Sequence, residues 1–170
     1  MKKSLWKLVC AAGWLLTIQR GAAQFEVLHI PNVTGQSVVS HHTGDIDLTG
    51  FNWSLSNPFV SVGQNSNPTF SDVTVTKLVD SSSPILASAC ANHTSYTSAA
   101  IYCTTTINSS SLDFYTVTLG NCTVTGVTVN SQSSSGPLTE TITLHFTTIQ
   151  WTYVPVSNGT AQTPITTHYP

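Results

Sequence analysis

The stretch Thr139-Glu140-Thr141-Ile142-Thr143-Leu144-His145-Phe146-Thr147-Thr148-Ile149-Gln150-Trp151-Thr152-Tyr153 decides the fold. Side chains alternate along an extended chain, so Ile142, Leu144 and Phe146 fall on one face. After Thr147-Thr148 the apolar positions change parity and continue as Ile149, Trp151 and Tyr153. A helix would need apolar residues three and four apart. Alternation with a parity break is what a strand shows where its sheet bends.

The same signal extends outward. Cys122 to Val129 alternates, with a parity shift at Gly126 between Val124 and Val127. Ala99 to Thr106 and Phe114 to Leu119 flank a Ser-rich turn at Asn108 to Ser111. Val73 and Val75, with their Thr neighbours, begin another strand. Asp45 to Leu55 carries Ile46, Leu48, Phe51, Trp53 and Leu55, and its parity change at Thr49-Gly50 reads as a bulge. Asn57 to Asn67 is rich in Asn, Ser, Pro and Gly and reads as a long loop. Residues 157–170 lack periodicity and read as a mobile tail.

One segment reads as helix. Ser83 stands at the N-cap and Pro84 at N1, where a missing N–H costs nothing. Ile85, Leu86, Ala89 and Cys90 then share a face, and Asn92 ends the run. Two turns need packing on a sheet to persist.

Composition agrees with a sheet. Of 170 residues 22 are Ser and 27 Thr, while 7% are charged against a usual ~25%. A coiled coil is excluded, and Thr and Val favour strands. At 40% hydrophobic residues the chain is not simply disordered. Four of the five bases, Lys2, Lys3, Lys7 and Arg20, precede residue 24. Residues 24–170 hold one base, Lys77, and seven acids, Glu26, Asp45, Asp47, Asp72, Asp80, Asp113 and Glu140, so the body carries 1 − 7 = −6. One lysine cannot neutralise a run of phosphates, which excludes nucleic acid as the main partner.

Residues 1–23 have the layout of a secretory signal peptide. Met1 to Lys7 is basic, Leu8 to Ile18 is apolar, and Gly21-Ala22-Ala23 supplies small residues for cleavage. The apolar run is too short for a membrane span, which needs ~20 residues. The expected mature protein is therefore secreted, to the periplasm or beyond, with no membrane segment. It retains Cys90, Cys103 and Cys122. One pair could bridge in an oxidising compartment, or all three could be small buried hydrophobes; spacing does not decide.

Catalytic chemistry has no signature here. There is no G-x-S-x-G elbow, no H-E-x-x-H and no Gly-rich phosphate loop. His41 and His42 are the only adjacent histidines and read as loop residues. No catalytic, metal or cofactor residue is assigned, and the chain does not read as an enzyme.

Five motifs occur in order. They are Ile30-Pro31-Asn32-Val33-Thr34-Gly35-Gln36-Ser37; Gly44-Asp45-Ile46-Asp47-Leu48; Phe51-Asn52-Trp53-Ser54 with Asn57-Pro58; Thr76-Lys77-Leu78-Val79-Asp80 through Ser83-Pro84-Ile85-Leu86 to Ala89-Cys90-Ala91; and the stretch 139–153. Together, from about His29 to Pro155, they resemble the Hcp family, the tube proteins of bacterial type VI secretion. The resemblance implies a mainly β fold over residues 24–156: a closed or nearly closed β-barrel of two curled sheets with one short flanking helix. It implies hexameric rings that stack into a tube carrying effectors, with self, spike, sheath and effector proteins as partners. Asn52 would face the ring's lumen. The loop bearing Asn57, Pro58, Gly63 and Asn65 would reach the next ring. Ordinary family members lack a leader, so the leader carries a second reading: an exported barrel acting as a secreted binding or surface module.

Overall fold

Apolar residues alternating with Thr and Ser build a sheet with one oily and one hydroxyl-bearing face. The computed structural model describes residues 24–59, 67–131 and 136–169; the leader, with its cleavage site, lies outside the described residues. In chain order the strands are β1 (Gln24–His29), β2 (Ile46–Asp47), β3 (Gly50–Asn52), β4 (Leu55–Ser56), β5 (Thr69–Phe70) and β6 (Val73–Leu78). Helix α1 (Ser83–Ala91) follows, then β7 (Ser95–Ile107), β8 (Ser110–Asn130), β9 (Thr139–His145) and β10 (Thr148–Tyr153). Three short strands end the chain: β11 (Val156–Ser157), β12 (Thr160–Ala161) and β13 (Ile165–Tyr169). The fold is mainly β with one helix.

Nine strands form one antiparallel sheet. Its main path runs β2-β1-β7-β8-β9-β6-β3, and β10 joins β8 to β13. Strand β8 is the spine. It pairs with β7 through Cys122↔Tyr96 and Val117↔Ile101, with β10 through Val117↔Trp151, and with β9 beyond Thr123. It runs unbroken across Gly120 and Asn121, where the sequence suggested two strands. The shift expected at Gly126 is present: the β8–β9 register slips between Val124 and Gly126. A second slip falls between Cys103 and Thr104.

The segment read as one bulged strand from Asp45 to Leu55 is three short strands. Its break at Leu48-Thr49 is a change of partner. Strand β2 pairs with β1, the Leu48 N–H donates to the Glu26 carbonyl at 2.8 Å, the Thr49 N–H donates to the Thr76 carbonyl at 2.8 Å, and β3 pairs with β6. The two ends of the sheet path are thus consecutive pieces of one chain segment.

The core lies on the apolar face, where Leu28, Ile46, Val75, Ile101, Val117, Leu119, Ile142 and Leu144 are fully buried. Each contributes about 1.5–3 kcal/mol of burial free energy. Helix α1 lays Leu86 and Ala89 on this core. Ile85, expected on the same face, is instead 39% exposed. The N-cap is Ser82, one residue before the expected Ser83; the Ser83 hydroxyl is engaged elsewhere, as described below. The tail also differs from expectation. Residues Ile165–Tyr169 pair antiparallel with Ile149–Tyr153. Every β13 side chain is exposed, so the strand leaves no apolar period to read.

Candidate assembly surfaces

The residues that carry the sequence motifs converge in space. Lys77 on β6 is wholly buried, and its Nζ donates to the Leu78 carbonyl at 2.8 Å, to Asp80 Oδ1 at 2.7 Å and to Glu140 Oε1 on β9 at 2.7 Å. The Ser83 hydroxyl donates to the same Glu140 oxygen at 2.6 Å and accepts from the Asp80 N–H at 3.0 Å. Ser82 binds Asp80 Oδ1 through both its N–H, at 2.9 Å, and its hydroxyl, at 2.6 Å. Burial acts to raise the Asp80 carboxyl pKa, but hydrogen bonds from Lys77 and Ser82 outweigh it and hold it below its ordinary value. A buried charge persists only when paired and hydrogen-bonded. This cluster ties the helix entry to two strands.

A second cluster sits under the β4–β5 hairpin. Phe70 meets Tyr169 at 4.9 Å between ring centroids, Phe146 at 6.1 Å and Trp151 at 6.2 Å. Trp53 packs on Trp151 at 5.3 Å. Such pairs add about 0.5–1.5 kcal/mol each beyond their area. The cluster fixes the base of the loop that leaves the sheet after Ser56 and returns at Thr69.

The positions singled out in the sequence fall as follows. Phe51 and Trp53 are half-buried and pack against the core, while Asn52 between them is exposed. Asn57 and Pro58 are exposed at the start of the loop; Gly63 and Asn65 lie outside the described residues. Cys90, Cys103 and Cys122 are free thiols. Burial pushes Cys103 up to about 11 and Cys122 up to about 12. Among the described residues no group of three His, Cys, Asp or Glu could hold a metal ion. No helix among them is long and apolar enough to cross a membrane. Sequence reasoning missed the pairing of histidines with acids. His42, read as a loop residue, is 6% exposed and lies between Asp45 and Asp113.

The sheet is braced by a buried ion pair, and an aromatic cluster anchors the base of its long loop. The family described as "Type VI secretion system effector, Hcp" matches residues 27–153, and the chain belongs to that family. It is a structural subunit of the type VI secretion tube. Solved structures share its fold. A type six secretion system protein superposes with a TM-score of 0.74 at 25% identity, covering 84% of this chain and 92% of that one. Hcp1 from Salmonella typhimurium gives 0.72 at 22% identity, covering 86% and 94%. A type VI secretion system effector from Yersinia pestis gives 0.68 at 20% identity, covering 85% and 98%. No curated protein matches the chain by sequence.

Proposed function

We propose that this chain, once residues 1–23 are removed, forms hexameric rings that stack into a type VI secretion tube. The observation that most supports this reading is the family match over residues 27–153, together with a solved type VI chain of which 92% is covered. In this reading the sheet closes as a barrel, with residues 46–52 as its seam. That segment bonds to β1 at one end and to β6 at the other, and closure removes the open edges between which it lies. Asn52 turns toward the central hole. The loop with Asn57, Pro58, Gly63 and Asn65 reaches the neighbouring ring. Each subunit sets one patch against a different patch of the next, a heterologous contact that closes by rotation. Spike, sheath and effector proteins are the further partners.

The leader favours a second reading, in which the protein is exported to the periplasm or cell exterior and works as a binding or surface module. Electron microscopy of the processed protein separates the two. The tube reading expects rings with a central hole. Isolated particles of single-subunit size would overturn it in favour of the exported module.

A further inference from the structure

Residues 34–45, between β1 and β2, form a loop fastened in two places. Its base is a backbone clamp. The Gly35 N–H donates to the Gly44 carbonyl at 2.8 Å, the Gly44 N–H to the Ser37 carbonyl at 2.9 Å, and the Ser37 N–H to the Asp45 carbonyl at 2.9 Å. A Cβ at Gly35 would strike the Asp45 carbonyl oxygen, so the clamp closes only around glycine.

Within the tip, Val38 to Thr43, the His42 N–H donates to the Val39 carbonyl at 2.9 Å and the Asp45 N–H to the His42 carbonyl at 3.0 Å; a side chain fastens the tip to the sheet. The His42 ring lies 4.5 Å from the Tyr102 ring of β7, centroid to centroid. Its Nδ1 is 2.9 Å from Asp45 Oδ2, and its Nε2 is 3.0 Å from Asp113 Oδ1 on β8. The other oxygen of Asp45 is taken by His29 Nδ1 of β1 at 2.7 Å. The Thr104 hydroxyl of β7 donates to Asp113 Oδ1 at 2.7 Å.

An ionised carboxylate only accepts hydrogen bonds. With a carboxylate at each ring nitrogen, only the imidazolium donates to both. The neutral ring donates to one and turns a lone pair toward the other. We propose that His42 is a proton-operated latch, which holds the 38–43 tip on both carboxylates when protonated and on one when neutral, so that the tip opens as the proton leaves.

Of the groups around Asp45 and Asp113, His29 is a second imidazole on Asp45, but it lies on β1, outside the tip, and its bond is to Asp45 rather than Asp113. Burial first, then Asp113 and Asp45, push the Tyr102 phenol above its ordinary range, so the ring stays a neutral stacking face. Glu26 of β1 and Asp47 of β2 line a depression with Val38 and Val39. His41 is exposed. The latch has a surface consequence. Val38, 88% exposed, Val39 and Phe25 form the wall shared by two depressions of about 390 and 300 Å³. Opening the tip reshapes this apolar patch.

Amide exchange read by NMR tests the latch. Exchange at Val38 to Thr43 is taken relative to Val75 and Ile142 in the core at each pH, which cancels the common base catalysis. The His42 ring shifts, followed in the same samples, mark where its proton leaves. Relative exchange of the tip should rise about tenfold across that titration, the weight of one charge-assisted hydrogen bond. Asp113→Asn offers the neutral ring an amide donor, so the step should vanish. A flat relative exchange in the unmodified protein, or an unchanged step in Asp113→Asn, overturns the latch.

Discussion

The Lys77 ammonium and the Glu140 carboxylate meet at 2.7 Å with both side chains all but removed from water, at 0% and 1% exposure. Lys77 is also the only Lys or Arg in residues 24–170. Its burial means that the described surface carries no Lys or Arg at all. The one lysine of this body holds β6, β9 and the start of α1 together.

Removing Lys77 should therefore be severe. Lys77→Met leaves Glu140 and Asp80 without their shared cation and should cost about 3–5 kcal/mol, as stripping one partner from a buried pair does. Asp80→Asn should cost less, about 1–2 kcal/mol, because the Lys77–Glu140 contact survives. Urea unfolding monitored by tryptophan fluorescence measures both. A Lys77→Met variant within 1 kcal/mol of the unmodified protein would contradict the bracing role.

Asp80 also sets an acid limit. Its carboxyl is held below the ordinary value of 3.8 in the folded chain. A depressed folded pKa contributes stability that is fully present above the unfolded value. That stability is lost as pH falls through the folded one. Stability should thus decline below about pH 4, and Asp80→Asn should flatten part of that decline. Equal acid slopes for the two proteins would remove Asp80 from the account.

The end of β3 and the residue after it should respond asymmetrically. Asn52 is exposed and Trp53 packs on Trp151. Asn52→Ala should stay within about 0.5 kcal/mol. Trp53→Ala should cost about 3 kcal/mol, the low end for a large core aromatic because Trp53 is half-buried. Thermal unfolding of both variants decides, and equal losses would mean that the strand faces the other way.

The buried thiols should be inert. With Cys103 raised to about 11 and Cys122 to about 12, about one Cys103 in a thousand is thiolate at pH 8, and fewer at Cys122. Mass spectrometry after brief iodoacetamide treatment should find neither alkylated in the native protein and both alkylated in urea. Labelling of native Cys122 would show that the β7–β8 core opens far more readily than its packing implies.

Much of this fold was legible in the residues. The alternation of Ile142 with Leu144, the slip at Gly126 and the Ser-Pro start of the helix each have a local cause, and each appears where the sequence placed it to within a residue. The misses are non-local. The helix begins one residue earlier than expected, at an N-cap Ser82 that makes no side-chain cap bond, and the Ser83 hydroxyl goes to Glu140, 57 residues away. A strand lysine reads as a solvent-facing charge, and nothing near Lys77 in sequence reveals the buried carboxylate on β9. Strand β13 buries no side chain, so no periodicity marks it; it is held by its ladder with β10 and by Tyr169 on Phe70. His42 looks like any loop histidine until Asp113, 71 residues on, arrives beside it.

Ring assembly is the central claim, and mass in solution tests it most directly. With no Lys or Arg on the described surface, the contacts of a ring would come from backbone, hydroxyls and apolar side chains, which salt screens little. Light scattering coupled to size exclusion, on the processed protein at low and high salt, should give six times the subunit mass in both. A monomer at tens of micromolar, unchanged by salt, would contradict the ring.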